Sequence, residues 1–442
     1  MGQLLAQAGY QSVENPRKAS MLIVNTCGFI SSAREESLQT LRELAERKKP
    51  GQLLIAAGCL TQRYGEEVLK QVAGIDGILG TRRWMDIVEV VQNLRNGRFP
   101  TAAYHLPDSP TIGTHGTSEL LVCEPAPSAE RGVLRASIHG VSAYLKIADG
   151  CRRPCAFCAI PLIKGTAVSR PVKTILNEAR ILQDMGIREL ILISQDTTDY
   201  GHDLGLKDGL ALLLEKMTAS LGEATDVREG IAWIRILYAF PGYVTNRLID
   251  VIATHPQIVP YLDIPLQHAH PAVLHRMRRP ANMEWVYQTL SKMRTAIPDL
   301  ALRTTFIVGY PGETEEEFQV LLDFVNEIRF DRVGAFKFSF EPGTTSEPLG
   351  DPVPADVKQD RWEKLMVLQQ GISLEKNQSF VGKTLKVLIE GQGDGISLGR
   401  SYRDAPEIDG LVIVEGKLPV GEMVPVYITG AMAYDLSGVV RR

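Results

Sequence analysis

From Tyr144 to about Phe340, short apolar runs alternate with amphipathic stretches. The apolar runs are Ala143–Ile147, Leu190–Ile193, Trp233–Leu237, Tyr261–Ile264, Thr304–Val308 and Val333–Phe338. Their length and their Leu, Ile and Val content suit strands buried on both faces. Between them lie stretches with helical apolar spacing, such as Thr174–Met185, Val244–Thr254, Met283–Ile297 and Glu315–Ile328. Six such units predict a partial, open TIM-like barrel of the (β/α)6 kind. Polar residues gather just after the strand ends: Asp149, Ser194-Gln195-Asp196, Tyr238, Gln267-His268, Gly309 with Pro311-Gly312-Glu313, and Glu341. In barrel enzymes that rim builds the active site.

The loop after the first of these strands reads Cys151-Arg152-Arg153-Pro154-Cys155-Ala156-Phe157-Cys158. Three thiolates at C-x3-C-x2-C spacing suit three corners of a cubane iron–sulfur cluster. Full ligation takes four cysteines, and no fourth lies nearby. The fourth iron is then open, which means chemistry rather than electron storage alone. A zinc site is the first alternative, but it wants a second cysteine pair or histidines downstream. Inert buried thiols are the second.

The first hundred residues show the same alternation. Met21–Val24 and Leu53–Ala56 are apolar runs of buried parallel-strand type, and Ser31–Arg47 is the clearest helix. Each strand runs into a small or polar turn with a cysteine, Cys27 or Cys59. Strand carboxyl ends in a parallel sheet share one edge, where ligands bind. Cys27 and Cys59 are therefore expected to face each other there, as ligands or as small core residues.

Residues 98–137 lose periodicity and gain Pro, Gly, Ser and Thr, which reads as a linker. Cys123 within it has no evident role. Residues 352–378 read as a connecting helix. Beyond them, Leu385–Ile389, Leu411–Val414 and Val424–Ile428 suggest a small antiparallel β-barrel over 379–442. That segment holds seven Lys and Arg against eight Asp and Glu, a net of −1. A domain gripping phosphates should be basic, so a protein partner fits better than nucleic acid. The whole chain carries −4, and no apolar run is long enough to cross a membrane. Six cysteines in 442 residues make no disulfide scaffold; clustered thiols without a leader pattern point to a reducing cytosol.

With these features assembled, the chain resembles the radical S-adenosylmethionine methylthiotransferases over essentially its whole length. Gly150-Cys151 through Cys158-Ala159-Ile160-Pro161 looks like that family's cluster loop. Arg303 through Thr314 (RTTFIVGYPGET) looks like its late-barrel glycine motif, and the C-terminal segment like its TRAM domain. One branch modifies an adenosine beside the tRNA anticodon. The other modifies an aspartate of small-subunit ribosomal protein number twelve. Ser194–Thr198 (SQDTT), Asp263–His268 (DIPLQH) and Gly399–Gly410 (GRSYRDAPEIDG) resemble the protein-modifying branch.

The resemblance implies a 4Fe–4S cluster on Cys151, Cys155 and Cys158, with S-adenosylmethionine bound at the open iron. One electron cleaves the sulfonium, and the resulting radical removes hydrogen from an unactivated carbon. Phe157 is expected against the cluster, the adenine or plain core. Gln195 and Gln267 are candidates for the cofactor's ribose or carboxylate, or for loop hydrogen bonds. Asp196 and His268 are candidates for facing the substrate. His268 and His270 form an H-x-H pair that reads as loop histidines.

The family also holds a second cluster on three N-terminal cysteines. Cys27 and Cys59 match two; the third would lie in an early strand and loop. Met1–Leu5 resembles the helix that follows that loop. The expectation is a chain lacking its natural N-terminus, with an apolar gap where a central first strand belongs. The implied partners are the ribosomal protein, free or in the subunit, an electron donor and a sulfur donor. Two alternatives stand beside this reading: tRNA modification, and a non-catalytic iron–sulfur redox or scaffold protein.

Overall fold

The computed structural model describes residues 1–97, the strand 103–105, residues 134–222 and residues 230–441. Cys123 and most of the stretch read as a linker lie outside the described residues.

The N-terminal unit is a parallel sheet in the order β1 (Met21–Thr26), β2 (Leu53–Gly58), β3 (Gly77–Gly80), β4 (Ala103–His105). Its helices are α1 (Gly2–Gln7), α2 (Ser31–Arg47), α3 (Cys59–Gln71) and α4 (Ile87–Arg95). Alternation along β2 decides which side each residue fills. Ile55 and Ala57 pack with Leu4, Leu5, Val90 and Val91 on one face. Leu54 and Ala56 pack with Leu38, Leu41, Leu60 and Val68 on the other. No apolar gap separates the two strands that precede the Cys27 and Cys59 turns. β1 pairs directly with β2 from Met21↔Leu53 to Thr26↔Gly58. The two strands pair because both are short, apolar and in register. Incomplete cover appears at the outer edge, where Met21–Val24 stay only partly buried.

The central sheet has seven strands in the order β13-β12-β11-β10-β9-β6-β5. These are β5 (Ala136–His139), β6 (Ser142–Lys146), β9 (Glu189–Ile193), β10 (Trp233–Ile236), β11 (Ile258–Asp263), β12 (Ala301–Val308) and β13 (Arg332–Lys337). β6 and β9–β13 pair in parallel, which gives the six expected units. β5 adds an antiparallel edge on β6, so the stretch read as linker to residue 137 ends inside a strand. A small pair, β7 (Ala148–Asp149) and β8 (Val168–Ser169), flanks the cysteine loop.

Helices α5 (Ile160–Lys164), α6 (Val172–Asp184), α7 (Gly209–Leu221), α8 (Asn246–Thr254), α9 (Pro271–Arg276), α10 (Met283–Ala296) and α11 (Glu315–Ile328) follow the strands. α11 starts in a reciprocal capping box, Thr314 with Glu317. The 24-residue α12 (Ala355–Gln378) covers the β12–β13 side of the open sheet. It presents a polar buried stripe, because loop carbonyls at that edge need donors. Lys358 donates to Phe338 O, Trp362 to Ala335 O and Gln369 to Phe330 O.

The C-terminal unit is a closed five-stranded barrel in the order β14-β15-β16-β18-β17. Its strands are β14 (Thr384–Gln392), β15 (Ile396–Ser401), β16 (Val412–Glu415), β17 (Met423–Ala431) and β18 (Leu436–Val439). It is antiparallel except for the closing pair β16–β18, which runs parallel. Leu388, Ala405 and Met423 pack on Ile191, Trp233, Val259 and Ala301. The small barrel thus plugs the lower part of the central one, and its contacts leave the opposite rim free.

Candidate active site at the strand-end rim

Gly150 turns the chain out of β7 into the cysteine loop at φ +76°. A Cβ there would lie 2.0 Å from Thr166 O, so only glycine fits. Cys151 N then donates to Gly165 O at 3.0 Å, and Cys158 N to Cys155 O at 3.1 Å. Ala156 is tied to Met277 O and to Ser346 N, which anchors the loop across the rim. Cys151, Cys155 and Cys158 are half-buried free thiols. Burial pushes Cys151 up to about 11 and Cys158 up to about 12, and the neighbouring thiols add to it. Thiols so buried become thiolates only when a metal's positive charge holds them. Among the described residues, no three His, Cys, Asp or Glu side chains converge as one metal ion needs. A cubane does not need convergence, since each thiolate binds a different iron. The loop therefore fits a cluster.

Two arginines brace the loop. Arg153 donates to Asp196 at 2.6 Å and stacks on Tyr243, 3.7 Å to the ring centre. Arg279 stands over Phe240 and donates to Cys155 Sγ at 3.5 Å. Asp196 is spent on this work. It is buried, paired with Arg153, and accepts from Thr198 N at 3.0 Å. It braces the cysteine loop, buried and with both oxygens already paired, and does not stand open on the rim, which corrects that expectation.

His268 is likewise not a rim group. It is fully buried, 3.4 Å from Glu313, and its Nδ1 accepts from His270 N at 3.0 Å. His270 caps α9. The H-x-H pair is structural. Gln195 and Gln267 do stand on the rim. Gln195 Oε1 is buried without a hydrogen-bond partner among the described residues, so a bound group has an acceptor waiting. Gln267 sits at φ +76° and pairs by its backbone with Thr305 and Ile307. Phe157 packs at the margin of Met277, Tyr310 and Phe338.

The N-terminal sheet faces this rim. Thr26 and Gly58 are register partners, and a Cβ on Gly28 would lie 2.6 Å from Leu60 Cα. The loops bearing Cys27 and Cys59 therefore touch. Cys27 N donates to Ser37 Oγ at 3.0 Å. Burial raises the Cys59 thiol, Lys164 opposes it, and Cys27 adds to it. Lys164 closes α5, directly after the Cys151–Cys158 loop. Arg63 to Glu341 at 2.9 Å and Arg82 Nε to Ile163 O at 3.1 Å join the two units. A cavity of about 320 Å³ lies between them, lined by Gly58, Gly80, Trp84, Arg135 and Lys146. Beside it, Lys146, Arg135 and Lys164 outweigh burial and hold Asp149 well below the usual carboxylate range.

Sequence reading missed Arg63, Arg82, Arg153, Arg279 and Lys146. Only the arginines inside the cysteine loop carried a signal, their place between ligand-spaced cysteines. Arg63, Arg82 and Arg279 act through contacts across distant segments, and Lys146 through Asp149 three residues on.

A rim of strand ends with a three-cysteine loop on an open six-unit barrel is the plan of a radical S-adenosylmethionine enzyme. The Radical SAM superfamily pattern matches residues 145–325, the TRAM domain residues 381–440, and Uncharacterized protein family UPF0004 residues 1–80. Among solved structures, a radical S-adenosylmethionine methyltransferase, TsrM, from Kitasatospora setae has a similar fold. The TM-score is 0.54 at 13% identity, covering 87% of this chain and 68% of that one. The chain is 48% identical to the ribosomal protein uS12 methylthiotransferase RimO of Chloroflexus aurantiacus, over 99% of this chain and 95% of that protein. It is 44% identical to the RimO of a Roseiflexus species (99% and 93%) and 43% to that of Symbiobacterium thermophilum (98% and 86%). The chain belongs to the RimO family of methylthiotransferases.

Proposed function

We propose that this chain methylthiolates the β-carbon of an aspartate in ribosomal protein uS12. The observation that carries the reading is the trio Cys151, Cys155 and Cys158, held free and half-buried at the mouth of an open barrel. In this reading the trio binds a 4Fe–4S cluster with one open iron. When bound, that cluster and S-adenosylmethionine supply a radical able to take hydrogen from an unactivated carbon. The protein's share is placement and shielding. Arg153 and Asp196 fix the loop. Arg279 directs a positive charge at the Cys155 sulfur. Gln195 Oε1 and the Gln267 loop offer acceptors to the cofactor's polar groups, and Phe157 screens the cluster from the Tyr310–Phe338 side.

Cys27 and Cys59 serve the second half of the reaction, as two ligands of a second cluster that takes part in sulfur delivery. Their shared sheet edge, turned toward the first cluster loop, supports this. The working units are residues 1–97, 138–351 and 379–442, with 352–378 joining the last two. An electron donor and a sulfur donor are needed, and a reducing cytosol suits both thiol sets. The −1 charge of residues 379–442 favours a protein over tRNA as substrate.

Anaerobic reconstitution followed by reaction with uS12 tests the proposal. Methylthiolation of one aspartate is expected; modified nucleosides in tRNA instead would overturn it.

A further inference from the structure

β11, β12 and β13 carry an unexplained polar group inside the barrel. Their register sets Asp263 beside Arg303, and Arg303, Thr305 and Ile307 beside Arg332, Gly334 and Phe336. Ala301 on the same face of β12 meets the plug, and Ile307 meets the Phe157 cluster. These odd positions therefore line the lumen from its plug to its reactive end. Arg303 stands between the two.

Its guanidinium is fixed on two sides. Nη1 donates to Asp263 Oδ1 at 3.0 Å and to Thr305 Oγ1 at 3.3 Å. Nε lies 3.5 Å from Asp409 Oδ1, supplied by the C-terminal unit. Asp409 in turn accepts from Tyr261 Oη at 2.7 Å and Ala405 N at 2.9 Å. Nη2 has no acceptor among the described residues. It points over Gly334, where a Cβ would lie 3.2 Å from it. The Arg303 side chain is 14% exposed, while Asp263 and Asp409 are sealed. Phe336, 60% exposed, and Tyr238, 41% exposed and held at φ +61°, stand on the same reactive side.

The lumen therefore offers the unpaired Nη2 of a preorganised guanidinium. Its N–H can donate a charge-assisted hydrogen bond to a carboxylate oxygen. The row of Ile307 and Phe336 is four residues along the strand from Arg303, ~13 Å at the strand rise. That depth takes an extended acidic side chain.

We propose that Arg303 binds the carboxylate of the substrate aspartate, with Asp263 and Asp409 as positioning residues that orient the guanidinium. This deepens the function proposed above and rests on it. Burial raises both carboxyls, and Arg303 opposes it. The two acids hold their arginine from both sides. The plug gains a purpose: through Asp409 it sets the floor of the substrate site.

The test compares uS12 with a variant carrying Asn at the modified position, on wild-type enzyme, R303Q and R303K. The wild type is expected to prefer aspartate by ~10–100-fold in kcat/KM, the worth of a charge-assisted hydrogen bond. R303Q should lose most of that preference through KM, and R303K should keep part of it. Because both substrates meet the same enzyme sample, misfolded protein cancels from the ratio. An R303Q ratio equal to the wild-type ratio overturns the proposal. The cofactor also carries a carboxylate, so S-adenosylmethionine affinity is measured on the same variants. A large loss there with unchanged discrimination also overturns it. A wild type that cleaves the cofactor yet leaves uS12 unmodified removes the function first, and this site with it.

Discussion

Arg63 Nη1 lies 2.9 Å from Glu341 Oε2, and the two side chains are 6% and 4% exposed. Arg63 also donates to Gly28 O at 3.1 Å, beside Cys27. One side chain of α3 therefore ties the Cys27 loop to the barrel rim. The two sets of cysteines face each other because this buried pair holds the units in register.

Removing one partner leaves a buried charge, which costs about 3–5 kcal/mol. Glu341→Gln and Arg63→Ala should therefore loosen the N-terminal unit. Urea unfolding should gain an early phase. Methylthiolation should fall further than 5′-deoxyadenosine formation, since only the former needs both cysteine sets. Equal losses in both assays would count against this docking role.

Arg400 and Glu189 do the same at the other end. Arg400 and Arg235 both donate to Glu189, which is wholly buried. Burial alone would raise its carboxyl, but the two arginines bring it down to about 2. A depressed folded value means stability that is present above the unfolded value and lost as pH falls. Attachment of the C-terminal barrel should therefore weaken between about pH 4.5 and pH 2. Glu189→Gln should flatten that acid limb and destabilise the protein by about 3–5 kcal/mol at pH 7. Acid unfolding followed by Trp233 fluorescence checks both.

Among the described residues, the Arg279 side chain donates to a sulfur of the cysteine loop, Cys155 Sγ, at 3.5 Å. Donors to cluster sulfurs favour the reduced, more negative state and raise the potential. Arg279→Leu should lower the reconstituted cluster's potential by roughly 40–60 mV, about a tenfold change for one electron. A redox titration followed by electron paramagnetic resonance reads this apart from turnover. An unchanged potential with full iron content would show that Arg279 only packs on Phe240.

The two cysteine sets should separate cleanly. Cys155→Ala should abolish 5′-deoxyadenosine formation. A Cys27→Ala, Cys59→Ala double variant should retain it while losing methylthiolation. Reconstituted wild type should hold about eight irons per chain if both clusters form and about four if only the first does.

Much of this was legible in the sequence, because periodicity reports local geometry. The runs Leu190–Ile193 and Thr304–Val308 became strands, and the three-cysteine loop landed on the rim that the strand order implied. What escaped depended on partners far away in the chain. Asp196 and His268 followed strands and looked like rim groups. Whether a polar side chain is free depends on its neighbours, and Arg153 and Glu313 had already taken these two. Arg303 lay in a recognised motif, yet a charge inside a strand shows its role only once Asp263 and Asp409 flank it. The direct β1–β2 pairing escaped for a related reason. Strand order is set by how a sheet closes, and an apolar run does not state its neighbour.

The central claim is a chemical one, and the mass of the substrate tests it most directly. After anaerobic reaction of the reconstituted enzyme with uS12, the account predicts a gain of about 46 Da on a single aspartate, with one hydrogen replaced by a methylthio group. Unmodified uS12 alongside rapid formation of 5′-deoxyadenosine would contradict it.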